Sequence, residues 1–187
     1  IFPTRMVAPH EVMSECLYAR GCDEEGHTDE SLLKEAAETA AKAEVAVVFA
    51  GLPERYESEG FDRDNMKMPE GHVQMIRTVA KANPNTVVVL LCGSAVECPW
   101  ADEVKAILYM GLGGQAVGEA VSNLLYGKVN PSGKLAESWP LRYEDCACSE
   151  YYGTKDALYM EGIYVGYRYY EKAAVPVRWP FGYGLSY

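Results

Sequence analysis

The sequence has no apolar run that approaches the roughly 20 residues a membrane-spanning helix needs. Basic residues are also scarce, because 17 lysines and arginines stand against 27 aspartates and glutamates, and the formal net charge is −10. Such a charge argues against nucleic acid or an anionic membrane as a partner. With 187 residues, 49% of them apolar and 24% charged, the chain has the composition of one globular domain.

Recognisable metal and nucleotide motifs are missing too. The six cysteines are unevenly spaced, and the Cys146-x-Cys148 pair lacks the usual zinc-site spacing. We therefore predict no metal, and free thiols in a reducing compartment; the compartment itself stays open, with the cytoplasm favoured. The Gly113-Gly114-Gln115 segment has no basic neighbour and no G-x-G-x-x-G pattern, so it indicates close packing of a helix rather than a phosphate site. No cofactor is predicted.

The first two thirds of the chain alternate between strand and helix patterns. Apolar runs at 45–50 and 86–91 do not alternate with polar residues, which is typical of strands covered on both faces, and 104–109 predicts a third strand. Thr28 or Asp29 suits the start of one helix and Pro69 the start of the next. This order predicts an α/β fold, a three-layer αβα sandwich with a mostly parallel sheet.

Both ends of the chain differ from this middle part. After Pro131 aromatic residues accumulate without a helical period, which predicts an aromatic, loop-rich C-terminal segment of strand fragments and long loops. Residues 1–15 show no periodicity and contain Pro3 and Pro9, so they are interpreted as a linker from an absent upstream domain. The domain itself is then 16–187.

The strongest functional signal is the acidic loop, defined here as residues 56–65. Four carboxylates fall between Glu57 and Asp64, directly after a predicted strand. Open α/β sheets bind ligands at the carboxyl ends of their strands. Crowding or burial can raise the pKa of a carboxyl group, which suits a general acid. A solvated acidic loop without function is the competing interpretation.

Six segments of the chain, in order, resemble motifs of the second domain of family 3 glycoside hydrolases, the β-glucosidase and β-xylosidase family. Each motif alone is weak evidence, whereas the ordered set is specific, and the resemblance runs from about Tyr18 to Tyr187. The segments are Glu57–Arg63 (ESEGFDR), Gly113–Ala120 (GGQAVGEA), Gly127–Leu135 (GKVNPSGKL), Glu137–Pro140 (ESWP, with Ser where the family has Thr), Glu161–Tyr170 (EGIYVGYRYY) and Pro180–Tyr187 (PFGYGLSY).

The resemblance implies roles for the acidic loop. The family carries its general acid/base on the Glu that precedes Gly in this loop, which is Glu59 here. Glu57, two residues earlier, is the alternative, because the placement of this residue varies among family members. Asp62 and Arg63 are expected to support the loop through salt bridges rather than to touch sugar. Among the aromatic residues, Tyr151 and Tyr152 are candidates for lining a sugar subsite.

For the whole protein, the resemblance implies a retaining exo-β-glycosidase, with β-glucoside the first expected substrate and β-xyloside the second. The family's Asp nucleophile lies on a separate (β/α)₈ barrel, and nothing in this sequence resembles that barrel. We therefore expect the chain to be a fragment that shares its active site with the barrel and is nearly inactive alone. The chemistry needs neither metal nor organic cofactor. Two alternatives are a non-catalytic carbohydrate-binding or subunit-interaction module, and a flavodoxin-like nucleotide- or flavin-binding domain.

Overall fold

A computed structural model describes residues 4–187, which fall into two units. The sheet unit comprises residues 4–94 and 98–129, and the C-terminal unit comprises 95–97 and 130–187. Each unit is described by itself below.

Three parallel strands form the centre of the sheet unit. They are β1 (Ala46–Gly51), β2 (Thr86–Leu91) and β3 (Ala106–Tyr109), and they lie side by side in the order β1-β2-β3. Val48 of β1 pairs with Val88 of β2, which pairs with Ile107 of β3. Branched side chains at these positions fit the pleated surface of a sheet that is covered on both faces.

The described part of the sheet unit has four α-helices, α1 (Pro9–Val12), α2 (Glu30–Ala40), α3 (Glu70–Ala82) and α4 (Val117–Leu125), and a short 3₁₀ helix at Ala101–Glu103. Helix α2 begins where predicted, because the Asp29 carboxylate accepts a hydrogen bond from the Leu32 amide at 2.9 Å. Helix α3 follows Pro69, as its sequence pattern indicates. Within residues 4–187, no helix combines the length and apolar character needed to cross a membrane.

The helices cover both faces of the sheet. On one face Val117 and Val121 of α4 pack with Val89 of β2 in a common core. Helix α3 contacts β1 and β2, and α2 packs on α3. Val88 and Leu90 are fully buried as well as Val89, so the central strand is covered on both faces and the predicted αβα sandwich is confirmed. Each such side chain contributes roughly 1.5–3 kcal/mol through burial.

The N-terminal segment contacts the start of α4. The Val7 amide donates to the Gln115 carbonyl at 2.9 Å, and the Gly118 amide donates to the Val7 carbonyl at 3.0 Å. Of the predicted linker, residues 1–3 lie outside the described part of the chain. The linker assignment for residues 1–15 therefore stays a prediction, now with α1 and these hydrogen bonds inside it.

The C-terminal unit contains a short antiparallel pair, β4 (Trp139–Pro140) with β5 (Val177–Trp179). It also has an α-helix, α5 (Tyr167–Ala173), and a short 3₁₀ helix at Tyr143–Asp145. The Trp139 and Trp179 rings meet edge to face at a centroid distance of 5.6 Å. Strand fragments and loops agree with the sequence prediction. Helix α5 was not predicted, because its consecutive aromatic residues conceal any 3.6-residue period.

Candidate active site

The acidic loop leaves the carboxyl end of β1 and returns to the start of α3. Its neighbour is the turn after β2 that contains Gly93 and Ser94. Because β1 and β2 are adjacent and parallel, both segments emerge at the same edge of the sheet. This is the edge at which open α/β sheets place their ligands.

Glu57 is held against the turn after β2. The Gly93 amide donates to Glu57 Oε2 at 2.8 Å, and the Ser94 hydroxyl donates to Glu57 Oε1 at 3.3 Å. The Glu57 side chain is half-buried, and its own amide donates to the Pro53 carbonyl at 3.2 Å. Its carboxylate is therefore anchored to this turn by two hydrogen bonds.

Arg63 reaches the same hydroxyl from the other end of the loop. Its Nη1 atom donates to Ser94 Oγ at 2.8 Å, and the side chain is half-buried. Asp62 is exposed, and no ion pair of its carboxylate occurs within residues 4–187. The loop-supporting role expected for Arg63 and Asp62 stays a prediction, to which the structure adds Ser94 as the group that Arg63 contacts.

Glu59 lies at the exposed tip between these two attachments. In the described part of the chain its carboxylate makes no hydrogen bond and no ion pair. Gly60 follows it with φ +92°, a conformation that favours glycine, and a Cβ there would meet no atom within 4 Å. A carboxyl group in this position is open to a ligand or to water.

A histidine connects the end of β1 with the first turn of α3, on either side of the acidic loop. His72 Nδ1 lies 3.0 Å from the carbonyl oxygen of Gly51, the last residue of β1. Burial lowers the pKa of the His72 imidazole, so the ring is neutral at pH 7 and donates from Nδ1. The two ends of the segment 51–72, which contains the acidic loop, are therefore held together.

Arg55 fixes the loop's approach from another side. Its Nη2 atom donates to the Glu25 carbonyl at 3.1 Å, and its Nε atom lies 3.2 Å from Glu25 Oε2. The guanidinium also stands 5.0 Å from the centre of the Tyr56 ring. The chain is thus anchored just before the acidic loop starts.

The two tyrosine candidates belong to the C-terminal unit. Their amides both donate to the Cys148 carbonyl, from Tyr151 at 3.0 Å and from Tyr152 at 2.9 Å. The Tyr152 side chain is exposed and that of Tyr151 is half-buried. Their role in sugar binding stays a prediction. Among the described residues, no group of three His, Cys, Asp or Glu side chains is arranged to hold a metal ion.

Gly93 and Ser94 are the site residues that sequence reasoning missed. Neither belongs to a motif that the sequence made visible, and they lie about 30 residues from Arg63. A signal was nevertheless present, because the predicted parallel order places the end of β2 beside the end of β1. The polar pair immediately after the second buried strand could have been taken as a neighbour of the acidic loop.

Comparison with known proteins shows which family this chain resembles. The family described as "Glycosyl hydrolase family 3 C-terminal domain" matches residues 3–187. The chain is 51% identical over 161 residues to thermostable β-glucosidase B of Acetivibrio thermocellus, which covers 85% of this chain and 21% of that protein. It is 45% identical over 161 residues to a β-glucosidase of Kluyveromyces marxianus, over 85% of this chain and 19% of that protein.

Solved structures resemble the fold closely. A family 3 β-glucosidase from Bifidobacterium adolescentis matches 99% of this chain, and 29% of its own length, with a TM-score of 0.93 and 41% identity. The K. marxianus β-glucosidase crystallised with glucose matches 86% of this chain and 20% of its own length, with a TM-score of 0.82 and 44% identity. The chain spans about a fifth of the length of the curated relatives it matches.

Proposed function

This chain belongs to the C-terminal domain family of family 3 glycosyl hydrolases, and from that premise we propose that Glu59 is the general acid/base of a retaining β-glucosidase. The nucleophile is an Asp carried on a (β/α)₈ barrel domain of the same enzyme. The substrate is a β-linked glycoside, because the relatives from A. thermocellus and K. marxianus are β-glucosidases.

The difference between the two candidate carboxylates carries this proposal. Glu57 accepts hydrogen bonds from the Gly93 amide and the Ser94 hydroxyl. Glu59 is exposed, and its carboxylate makes no hydrogen bond or ion pair with another group within residues 4–187. A residue that must protonate a leaving group and later deprotonate water needs a carboxyl that can reach outside its own domain. This supports Glu59 over Glu57.

The chemistry follows from two carboxyl groups placed about 5–5.5 Å apart on either side of the sugar. As the nucleophile attacks the anomeric carbon, the protonated Glu59 gives its proton to the departing glycosidic oxygen. The resulting Glu59 carboxylate then takes a proton from the water that hydrolyses the glycosyl-enzyme. Glu59 thus returns to its starting form without a metal or an organic cofactor.

An apolar surface in the C-terminal unit supports the presence of further domains in the complete enzyme. Side chains in 158–165 are unusually exposed, with Tyr159 at 93% and Ile163 at 76%. Large exposed apolar side chains that lie together commonly mark a surface that another protein part covers. We expect the chain alone to hydrolyse aryl β-glucosides negligibly, because the nucleophile and most of the positioning energy are missing.

The test compares Glu59→Gln with Glu57→Gln in the complete enzyme that carries this domain. Phenyl β-glucoside has a poor leaving group and needs acid catalysis, whereas dinitrophenyl β-glucoside does not. Glu59→Gln should lower kcat/KM for the phenyl substrate by roughly 10²- to 10⁴-fold and spare the dinitrophenyl substrate. With the dinitrophenyl substrate, azide should restore the turnover of Glu59→Gln and yield glucosyl azide, because azide attacks the glycosyl-enzyme without the help of a base.

Each other outcome has a defined meaning. If Glu57→Gln alone shows the azide rescue, the acid/base is Glu57 and the assignment here is wrong. If neither variant shows it, the domain binds carbohydrate or another subunit without taking part in catalysis. Glucoside hydrolysis by the isolated chain at a rate near that of complete enzymes would contradict the shared active site.

A further inference from the structure

The turn after β2 touches the acidic loop at two places that enclose Glu59. Ser94 donates to Glu57 on one side of the tip and accepts from Arg63 on the other side. From this arrangement we infer that Ser94 is a positioning residue, whose hydroxyl holds the tip of the acidic loop so that Glu59 is aligned for proton transfer. The inference rests on the acid/base role proposed above.

The hydroxyl of Ser94 is well suited to this double contact. A serine hydroxyl has one proton to donate and two lone pairs to accept with. Here the proton points to Glu57 Oε1 at 3.3 Å, and a lone pair accepts from Arg63 Nη1 at 2.8 Å. Because Arg63 and Glu57 carry opposite charges, both bonds are charge-assisted and stronger than bonds between neutral groups.

The contact closes a short loop. Arg63 lies six positions after Glu57 in the sequence, a stretch that can extend to about 20 Å when it is unrestrained. Both side chains instead meet one oxygen atom, so the five residues between them, 58–62, form a closed tip. Closing the tip in the folded protein reduces the number of conformations available to Glu59 before any substrate arrives.

The contacts of Ser94 with Glu57 and Arg63 are called the clamp below. Gly93, the residue before Ser94, allows the turn to approach Glu57 closely. A Cβ at Gly93 would lie 2.9 Å from Glu57 Oε1 and 3.2 Å from Leu112 Cδ1. A side chain at position 93 would therefore push the Glu57 carboxylate from its present place, 2.8 Å from the Gly93 amide. The amide and the hydroxyl together use both oxygens of Glu57.

Positioning of this kind affects one catalytic step more than the others. Proton transfer to a departing oxygen requires hydrogen-bond distance and alignment, and a displacement of about 1 Å can reduce the rate about 10²-fold. Binding of the sugar and attack by the nucleophile do not involve the tip in this way. Loss of the clamp should therefore appear as a stronger dependence of rate on the leaving group.

The experiment uses the complete enzyme with Ser94→Ala and Ser94→Thr. Ser94→Ala removes both contacts and should lower kcat/KM for phenyl β-glucoside about 10- to 100-fold. For dinitrophenyl β-glucoside, kcat/KM should stay within about twofold, since that substrate leaves without a proton. Ser94→Thr keeps the hydroxyl and should recover most of the loss. Ser31→Ala, at an exposed serine of α2, is the matched control and should change neither value.

Running Glu59→Gln in parallel separates the two hypotheses. If Glu59→Gln shows the leaving-group dependence and Ser94→Ala slows both substrates equally or neither, the positioning role is overturned while the acid/base role stands. If Glu59→Gln itself lacks that dependence, the proposed function fails, and the positioning role fails with it.

A measurement on the present chain tests the clamp without catalysis. Backbone ¹⁵N order parameters at residues 58–62 should be lower in Ser94→Ala than in the unmodified chain. The order parameters of β2, Thr86–Leu91, should be unchanged. Equal order parameters at the tip in both chains would show that Ser94 does not restrain it. This second readout also covers the case in which the complete Ser94→Ala enzyme is poorly produced.

Discussion

Most glycines of the sheet unit stand against other atoms, whereas most glycines of the C-terminal unit border open space. A Cβ on Gly51 would lie 1.9 Å from the Leu91 carbonyl oxygen, and one on Gly118 would lie 2.6 Å from the Val7 carbonyl oxygen. At Gly133, Gly153 and Gly162 no atom lies within 4 Å of that position. Close approach of one backbone to another is therefore found at several glycines of the sheet unit, whereas among the described glycines of the C-terminal unit it is found at Gly184.

The largest expected effect comes from placing the same methyl group in both units. Gly51→Ala should destabilise the chain by about 3 kcal/mol, because the clash is with the backbone of the neighbouring strand, which cannot move aside. Gly133→Ala should change the stability by less than about 0.5 kcal/mol. Urea unfolding of the two variants measures both values. Similar losses in the two variants would contradict the contrast in packing.

A smaller effect should come from pH, through the buried histidine of the sheet unit. Burial lowers the pKa of His72 below its ordinary value of 6.5. As the pH falls below about 6.5, the unfolded chain binds a proton at this histidine while the folded chain does not. The stabilising contribution of neutral His72 is therefore present above pH 6.5 and is lost as the pH falls from there towards the folded-state pKa.

His72→Asn isolates this contribution, because asparagine can still donate to the Gly51 carbonyl but does not titrate. Between pH 7 and pH 5 the unmodified chain should lose more unfolding free energy than the variant. Between pH 7 and pH 8 the difference between the two chains should be constant. Urea unfolding across this range is the measurement, and parallel curves down to pH 5 would show that His72 contributes nothing.

The smallest effect concerns thiol accessibility and leaves stability unchanged. Two cysteine thiols differ in exposure, since Cys22 is buried in the sheet unit and Cys148 is exposed in the C-terminal unit. Burial raises the pKa of the Cys22 thiol to about 11, so little thiolate is present at pH 8. Iodoacetamide should label Cys148 well before Cys22 in the folded chain, as read by peptide mass spectrometry. Urea should abolish the difference, and equal labelling of the folded chain would argue against the burial of Cys22.

The contrast between the units also explains what the sequence could predict. Strands β1 and β2 and helices α2 and α3 follow from local signals, such as apolar runs, the Asp29 cap and Pro69, which act within a few residues of one another. The pairing of Trp139 with Trp179 joins positions 40 residues apart and leaves no local period. Helix α5 was missed for a related reason, because its aromatic residues occupy consecutive positions.

The same limit applies to the candidate site. The acidic loop could be located from sequence, because its carboxylates follow a recognisable strand, and resemblance singled out Glu59 within it. The different situations of Glu57 and Glu59 could not be predicted, since two glutamates separated by one serine look equivalent in a sequence. What distinguishes them is the turn at Gly93 and Ser94, which reaches Glu57 only after β1 and β2 have paired.

This dependence has a consequence for protein engineering. The acidic loop is not a portable element, because its geometry is specified by two stretches of chain that lie far apart in sequence. A designer who transplants residues 53–65 into another α/β scaffold would carry over the carboxylates but not the partner surface that orients them. The transferable unit is the pair of adjacent strand ends, with Gly93 and Ser94 included, and a recombination boundary placed between β1 and β2 would divide it.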